Sequence, residues 1–173
     1  MALADIDRRA LLAARTRAHP RWAERAIGTF SRTGEHAACW FAFGVAGALR
    51  AAGDPPRRRA WLRGLQIVAG AYVLNYAVKI TVRRRRPELR DLPPLTPTVS
   101  RLSFPSAHAT SSFAAARAFS AVAPAGPLYA VATAFALSRP YLGVHYPSDV
   151  AAGAVLGTVV ASAWPRAGAE ARA

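Results

Sequence analysis

A histidine and an aspartate near the C-terminal end are the residues of this sequence best suited to chemistry. His145 precedes Pro147 and Ser148, either of which can begin a helix, and Asp149 follows within the first turn of that helix. A carboxylate that holds one imidazole nitrogen fixes the tautomer and leaves the other nitrogen free to attack or to exchange a proton. The same pair could serve only as a helix cap. Asp149 opens an otherwise uncharged apolar stretch, however, and an acid in such a place favours a functional role.

A second histidine lies at another predicted helix start. Ser106 follows Phe104 and Pro105 and is well placed as an N-cap, so the amides of the first turn would point outward as unpaired donors. A helix start of this kind is a ready site for an anion. Capped helix starts are common, so Ser106 is a weak signal by itself. His108, in the first turn beside the anion site, is a more specific one.

Three cations fall at the ends of the same predicted helices. Lys79 and Arg86 are seven residues apart, which is two turns and therefore one helix face, and Arg139 ends a later helix. In an up-and-down bundle these helix ends and both histidines lie on one side. The arginine run at 83–86 can also be interpreted as a positive-inside membrane anchor. Cations, a helix N-terminus and two histidines on one rim suit a phosphate group, so the predicted chemistry is phosphoryl transfer.

The elements that position these residues are apolar helices joined by basic connections. We predict an all-α fold, a multi-pass transmembrane helical bundle of about five spanning helices, preceded by an N-terminal amphipathic helix. The predicted spans are 37–53, 60–82, 106–123, 127–140 and 147–164. Most of the uncharged runs are shorter than the roughly 18 residues of an unambiguous span, but terminal Arg and Lys side chains lengthen the usable span by snorkelling. A compact soluble helical bundle is the alternative.

The chain divides into three segments. Residues 1–35 form an amphipathic, basic surface segment with short helices broken around Pro20, residues 36–165 the transmembrane domain, and residues 166–173 a polar tail. Within the domain, residues 50–63 are predicted to form a short loop and residues 83–105 a long basic connection. The first segment lacks the apolar region of a secretory signal peptide. It either lies on the membrane surface, with arginines toward lipid phosphates, or extends into solvent.

The composition limits the kinds of partner that this protein can bind. The 173 residues carry a formal net charge of +14, and 53% of them are hydrophobic, which excludes a disordered chain. Such a charge requires an anionic partner: nucleic acid, anionic membrane lipids or a phosphorylated substrate. A nucleic-acid-binding protein is the least favoured, because aromatic residues do not alternate with the arginines on a polar face. The single cysteine, Cys39, excludes a disulfide framework, and the sequence shows no zinc spacing.

Three motifs in this order resemble the type 2 phosphatidic acid phosphatase superfamily, which includes membrane lipid phosphatases and the vanadium haloperoxidases. The pattern Lys-x6-Arg-Pro appears as Lys79 to Arg86-Pro87, and Pro-Ser-Gly-His appears as Pro105-Ser106-Ala107-His108. The pattern Ser-Arg-x5-His-x3-Asp runs from Ser138-Arg139 through His145 to Asp149. The motifs cover residues 79–149, under half of the chain. The family has glycine between the serine and the histidine of the second motif, and glycine lets a backbone amide approach phosphate closely. In this sequence Ala107 takes its place.

The resemblance implies a metal-independent mechanism without a cofactor. His145 would attack phosphorus and form a phosphohistidine, with Asp149 orienting its ring, while His108 would protonate the leaving alkoxide and then activate water. The phosphoryl oxygens would be bound by Lys79, Arg86, Ser106, Arg139 and the amides near Ala107. One histidine must be neutral and the other protonated, which predicts a bell-shaped pH profile.

The implied substrate is a lipid phosphate whose tail stays in the bilayer of the cell membrane. Phosphatidic acid, phosphatidylglycerol phosphate, polyprenyl phosphates or pyrophosphates and prenyl-linked sugar phosphates all qualify. The compact, Arg- and Ala-rich chain also resembles the prenyl-phosphoribose phosphatases of cell-wall synthesis, by analogy. The positive-inside rule favours a cytoplasmic site, although arginines that serve a phosphate site weaken that argument. A catalytically idle membrane scaffold of the same fold is the alternative function, and Ala107 is its one hint.

Overall fold

A computed structural model of the chain describes residues 3–17 and 19–165. This part is built of α-helices and contains no strand, only an isolated bridge between Arg85 and Leu102, which confirms the predicted all-α class. The helices are α1 Leu3–Thr16, α2 Arg21–Thr33, α3 Ala38–Arg50, α4 Pro55–Val82, α5 Ala107–Phe119, α6 Ala125–Tyr141 and α7 Pro147–Ala163. A 3-10 turn at Glu35–Ala37 joins α2 to α3. The predicted tail at 166–173 lies outside the described residues.

The five helices predicted after residue 36 correspond to α3–α7, with two differences at α4. Residues 55–63 are helical rather than a loop, because Asp54 Oδ1 accepts the Arg57 N–H at 3.0 Å and two prolines occupy the first turn. The helix also ends at Val82, because Arg83 adopts a left-handed conformation with φ 54°. Arg86 is therefore not on the same helix face as Lys79, and the predicted reason for their proximity was wrong.

Helix α5 lies at the centre of the bundle, in contact with α4, α6 and α7. It tolerates this position because its sequence, apart from Arg117, consists of small or apolar residues and a histidine, and most of them are buried. At its C-terminal end, Phe119 packs at 5.3 Å from Trp61 and 5.4 Å from Phe43, measured between ring centroids. This aromatic cluster forms the core at the end of α5 opposite to its histidine.

Helix α4 is the one helix in the described part of the chain that is long and apolar enough to cross a membrane, and α7 is a shorter apolar helix. At about 1.5 Å per residue, the 28 residues of α4 exceed the thickness of a hydrocarbon core. The predicted number of about five spans stays a prediction. Among α3–α7, large apolar side chains that face outward occur on four helices, and they include Val45, Leu49, Val73, Leu74, Ile80, Val131, Leu137, Val155 and Val159.

Helices α5 and α7 approach each other closely through two glycines of α7. A Cβ atom added at Gly157 would lie 2.1 Å from the Thr110 carbonyl oxygen, and one at Gly153 would lie 2.6 Å from the Ser106 carbonyl oxygen. Both clashes involve backbone atoms, which cannot turn aside as a flexible side chain can. The small residues of α7 therefore set how near its N-terminus lies to the start of α5.

We expect Gly157→Ala to destabilise the folded protein by about 2 kcal/mol, because the added methyl group forces α5 and α7 apart. Thermal unfolding of the purified protein in detergent measures this change. Gly28→Ala in α2 is the matched control, because no heavy atom of the described residues lies within 4 Å of its added Cβ. Equal melting temperatures for the two variants would contradict the close packing of α5 on α7.

The two N-terminal helices confirm that short helices flank Pro20, and both pack on the bundle. Helix α1 contacts α6 and α7, with Asp7, Leu11 and Arg15 buried. Arg15 Nη2 donates a hydrogen bond to the Pro93 carbonyl oxygen at 2.8 Å, which ties α1 to the long connection. Helix α2 contacts α6 and buries Ser31. The N-terminal segment is thus in contact with the rim where the predicted site residues lie.

Candidate active site

A cavity of about 130 Å³ lies at the rim formed by the end of α4, the start of α5 and the end of α6. Of the residues predicted to form the site, six line it: Lys79, Arg86, Ala107, His108, Arg139 and His145. Ser106 and Asp149, which are fully buried, do not line this cavity. The predicted residues therefore do converge, with five groups that can carry a positive charge in a single small space.

His145 lies in the loop before α7, between a cation and a carboxylate. Its Nε2 is 3.0 Å from Arg86 Nη1, and its Nδ1 is 3.5 Å from Asp149 Oδ2. Since a guanidinium group only donates, Nε2 must accept with its lone pair and Nδ1 carries the proton. The contact from Nδ1 to Asp149 is longer than an ordinary hydrogen bond. The arrangement leaves Nε2 as the basic, nucleophilic nitrogen of the ring.

Asp149 is completely buried and is held by hydrogen bonds on both carboxylate oxygens. Oδ2 accepts the backbone N–H of Tyr146 at 2.9 Å, and Oδ1 accepts Arg84 Nη1 at 2.9 Å. The first contact shows that Asp149 does cap α7. The second supplies a counter-ion, which favours the ionised form of the carboxylate where it approaches His145.

His108, in the first turn of α5, is held by a residue of the N-terminal segment. Its Nε2 is 2.9 Å from the carbonyl oxygen of Ser31 in α2. A carbonyl oxygen only accepts, so Nε2 carries a proton and Nδ1 is the nitrogen available for proton exchange. The ring is 8% exposed, which places it at the wall of the cavity rather than in solvent.

The three predicted cations reach the cavity from three different elements. Lys79 Nζ donates to the Pro105 carbonyl oxygen at 2.9 Å, which ties the end of α4 to the start of α5. Arg86 Nε donates to the Ser100 carbonyl oxygen at 2.8 Å, because the 83–105 connection folds back on itself. Arg139 Nη1 donates to the Ser31 hydroxyl, and its buried Nε has no hydrogen-bond partner among the described residues. All three cations keep donors that can turn toward an anion.

Helix α5 starts as predicted, with Ser106 as its N-cap. The Ser106 hydroxyl accepts the Ala109 N–H at 3.5 Å. The backbone N–H of Ser106 donates to the Asp149 carbonyl oxygen at 3.0 Å. Ala107 is the first helical residue, and its φ is not among the positive values of the chain. Alanine therefore fits here without backbone strain, although the family has glycine. A direct contact of Ser106 with phosphate stays a prediction.

Four residues around the site were not singled out from the sequence. Arg84 stacks its guanidinium over the Tyr146 ring at 4.2 Å while it binds Asp149. The others are Asp7, Ser31 and Asn75, whose Nδ2 donates to Thr110 Oγ1 at 2.9 Å. Arg84 is one of four consecutive arginines, and Asp7 and Ser31 belong to helices with no motif. The sequence gave one signal for Arg84. Acids are nearly absent from the apolar domain, so an ionised Asp149 in it requires a positively charged partner.

The fold and the site define a membrane-type phosphatase architecture, and the comparison with known proteins agrees. The model of the PAP2 superfamily matches residues 60–172, which is more than half of the chain. The chain belongs to this superfamily, as its three motifs indicated, and is a phosphatase, a phosphoric ester hydrolase.

Two curated relatives carry the same name. The decaprenylphosphoryl-5-phosphoribose phosphatase of Mycolicibacterium smegmatis is 44% identical over 126 residues, which cover 71% of this chain and 67% of the relative. That of Mycobacterium tuberculosis is 41% identical over 130 residues, which cover 75% of this chain and 72% of the relative.

Two solved structures share the fold. A transmembrane PAP2-type phosphatidylglycerolphosphate phosphatase of Bacillus subtilis superimposes with a TM-score of 0.73 at 23% identity, covering 92% of this chain and 83% of that one. LpxE of Aquifex aeolicus superimposes with a TM-score of 0.75 at 21% identity, covering 94% of this chain and 97% of that one. Both alignments include more than nine-tenths of the chain.

The charge state of His145 follows from its surroundings. Burial, and then the positive charges of Arg86, Arg139 and Lys79, hold the pKa of His145 well below its usual 6.5. Burial also lowers the pKa of Arg86 to about 10, so this guanidinium stays charged at neutral pH. His145 is consequently neutral, with an unprotonated Nε2, throughout the physiological range.

We expect the acidic limb of the kcat/KM profile to lie well below pH 6.5. The neutral imidazole is the reactive form, and a lowered pKa means that it persists to lower pH, so activity is lost only as pH falls through that lowered value. A pH series of kcat/KM on one soluble phosphate ester, at constant ionic strength, measures the limb. A midpoint at or above pH 6.5 would contradict the electropositive environment of His145.

Proposed function

We propose that this protein is an integral-membrane lipid phosphate phosphatase. It hydrolyses a phosphomonoester or pyrophosphate of a lipid or polyprenyl substrate through a phosphohistidine intermediate, without a metal ion. The observation that supports this most is the geometry of His145, whose Nδ1–H faces Asp149 while its Nε2 contacts Arg86 in a cavity that Lys79 and Arg139 also line. In the same cavity, His108 has one free ring nitrogen for proton transfer.

The reaction has two steps. His145 Nε2 attacks phosphorus, a P–N bond forms, and the P–O bond to the alkoxide breaks while His108, which enters the reaction protonated on both ring nitrogens, gives that alkoxide its Nδ1 proton. Water then attacks the phosphohistidine, His108 takes one proton of the water, and inorganic phosphate leaves with restoration of both histidines. Lys79, Arg86 and Arg139 bind the phosphoryl oxygens, where charge develops in both transition states. No three His, Cys, Asp or Glu side chains gather as a metal site within the described residues.

Two observations support the substrate class, an apolar groove of the protein and the names of its relatives. An apolar groove of about 500 Å³, lined by residues that include Phe30, Trp40 and Phe135, lies next to the site. Phe135, which is buried, separates the two, with its ring centroid 6.3 Å from that of His108. An apolar chain attached to a phosphate in the cavity would enter this groove only if the Phe135 ring turned aside. The two relatives named for decaprenylphosphoryl-5-phosphoribose favour a prenyl-linked sugar phosphate over a glycerophospholipid.

The outward apolar side chains and the length of α4 support a multi-pass location in the cell membrane, where anionic lipids would contact the basic N-terminal helices. The solved relative of Bacillus subtilis is itself described as transmembrane. Fractionation of cells that express a tagged protein, followed by carbonate washing, tests this location. Release of the protein by carbonate would contradict it.

Phosphate release by the purified protein in detergent, with EDTA present, tests the proposed reaction. The substrates are a prenyl-linked phosphoribose, a polyprenyl phosphate, a polyprenyl pyrophosphate, phosphatidic acid and phosphatidylglycerol phosphate. We expect activity that survives EDTA and is highest with the prenyl-linked sugar phosphate. Activity that EDTA abolishes and Mg²⁺ or Zn²⁺ restores would refute the metal-independent mechanism, and a preference for glycerophospholipids would refute the substrate class.

His108→Asn should reveal the proton donor by its dependence on the leaving group. An alkyl alkoxide needs protonation as it leaves, so we expect hydrolysis of an alkyl phosphate to fall by roughly 10²- to 10⁴-fold. A nitrophenolate leaves without a proton, so the first step on p-nitrophenyl phosphate, measured as the burst of nitrophenol, should fall much less. Equal losses on both substrates would mean that His108 does not donate this proton.

A further inference from the structure

We infer that Asp7, in the N-terminal helix α1, is a positioning residue for the hydrolysis, acting through Arg84 on the Asp149–His145 pair. The inference rests on the proposed function and deepens it, because it makes a helix outside the matched residues 60–172 part of the catalytic apparatus. Asp7 does not line the cavity, so it would act on the rate of the reaction and not on the binding of substrate.

Asp7 is a buried acid at the contact of three elements. It is 2% exposed, although it lies on a helix whose other described acid, Asp5, faces outward. Its Oδ2 accepts Arg84 Nη2 at 2.8 Å, and its Oδ1 accepts the Ser148 N–H at 2.9 Å. The Ser148 hydroxyl also donates to Oδ2. Burying an acid requires that it be paired in this way, and every partner of Asp7 lies beside the nucleophile.

Arg84 joins the two acids into one chain of contacts. Its Nη2 binds Asp7 while its Nη1 binds Asp149 Oδ1 at 2.9 Å, so one planar guanidinium fixes both carboxylates. The Tyr146 ring supports the guanidinium from one face. The Arg84 side chain is 29% exposed, and its Nη1 also donates to the Ser148 hydroxyl at 2.7 Å. Asp7 is the one partner of Nη2 within the described residues, so it fixes the half of the guanidinium that does not bind Asp149.

Opposite charges alternate along the contacts from Asp7 through Arg84 to Asp149. Burial would raise the pKa of Asp7, but the hydrogen bonds from Arg84 and Ser148 outweigh it and the pKa is lowered. Likewise, burial disfavours the charged form of Arg84, but the hydrogen bond to Asp7 and the charges of both acids raise its pKa. Asp7 and Arg84 are therefore both ionised at neutral pH.

If Asp7 only stabilised the fold, the loss of its charge would have a different effect on activity. Tyr146, the N-cap of α7, has no side-chain oxygen that caps the helix, and Asp7 supplies a cap from another helix through the Ser148 N–H. If capping were its whole role, loss of the charge would matter little, because asparagine is an equally good cap. Asp7→Asn keeps an acceptor for the Ser148 N–H, but it removes the charge that holds Arg84 and replaces the oxygen that Arg84 binds by an NH2 group.

The experiment is a double-mutant cycle on kcat and KM with the substrate that the wild type hydrolyses best. We expect Asp7→Asn to lower kcat about tenfold, as for one charge-assisted hydrogen bond, and to change KM less than twofold. In an Arg84→Met background, the same change should lower kcat less than twofold, because the group it acts on is absent. Asp5→Asn, an exposed acid of the same helix, is the matched control.

A second measurement does not depend on turnover. Orthovanadate adopts the geometry of the phosphoryl-transfer transition state, whereas inorganic phosphate resembles the ground state. We expect Asp7→Asn to weaken vanadate binding about tenfold and phosphate binding less than twofold, with a melting temperature close to that of the wild type. This result would support the positioning role even if the wild type hydrolysed none of the lipids tested, so it separates this inference from the proposed function.

Three results would overturn the inference. Equal losses of kcat with and without Arg84 would show that Asp7 does not act through it. Equal weakening of vanadate and phosphate would show a general effect on the cavity. Activity that falls only in proportion to the folded fraction would show that Asp7 is a structural cap of α7 and nothing more.

Discussion

His145→Ala should abolish turnover while the protein stays folded. The imidazole supplies the nucleophile, and alanine has no lone pair with which to attack phosphorus, so we expect kcat to fall by roughly 10⁵-fold or more. Phosphate release under the conditions that give the best wild-type rate measures this loss. His145 makes no hydrogen bond that closes a helix, and its removal leaves the cap of α7 intact. The melting temperature should therefore change little.

Two further observations test the assignment of the nucleophile. A brief reaction of the wild type with labelled substrate, quenched in alkali, should leave phosphate on His145 in an acid-labile, base-stable form. His19→Ala is the matched control, because this histidine packs on Tyr141 and lies outside the cavity. Phosphate release from His145→Ala at the wild-type rate would mean that another group attacks phosphorus.

The convergence of the site could be predicted from the sequence because its residues occupy helix ends. Ser106, Pro147 and Asp149 mark helix starts by their chemistry, so the rim of the bundle follows from the order of the elements. The positions of His108 and His145 on this rim then need no tertiary information. The same reasoning placed Lys79 correctly, at the end of an apolar helix.

The error at Arg86 shows where local reasoning stops. A helix continued to Pro87 would bring Arg86 onto the face of Lys79, but Arg83 turns left-handed four residues earlier. The chain then folds back, with the Arg86 N–H bound to the Arg101 carbonyl oxygen at 3.1 Å. Arg86 reaches the cavity through this long-range pairing, for which four identical arginines in a row give no sequence signal.

The contacts that hold His108 and Arg84 could not be predicted from the sequence for a related reason. Ser31 and Asp7 act through the docking of α1 and α2 on the bundle, and these helices have ordinary amphipathic sequences. Amphipathicity predicts that one face is buried but does not say against which partner. Which nitrogen of His108 is protonated depends on the Ser31 carbonyl oxygen, so the chemical state of the site depends on packing that has no motif.

Asp149→Asn should lower kcat by roughly 10⁴-fold with little change in KM. The amide keeps the size of the side chain and can still accept the Tyr146 N–H, so α7 remains capped. It cannot balance the imidazolium-like charge that develops on His145 during attack, and its NH2 group would oppose either the Nδ1–H of His145 or the guanidinium of Arg84.

Steady-state kinetics and thermal unfolding of two variants separate this role from helix capping. Asp54→Asn changes the N-cap of α4, far from the chemistry, and should leave kcat unchanged, because asparagine caps as well as aspartate. If Asp149→Asn also retained the wild-type kcat, Asp149 would be a helix cap like Asp54, and His145 would have to be oriented by another group. A large loss of kcat at an unchanged melting temperature identifies instead a carboxylate whose charge, and not its hydrogen bond to the backbone, drives the attack on phosphorus.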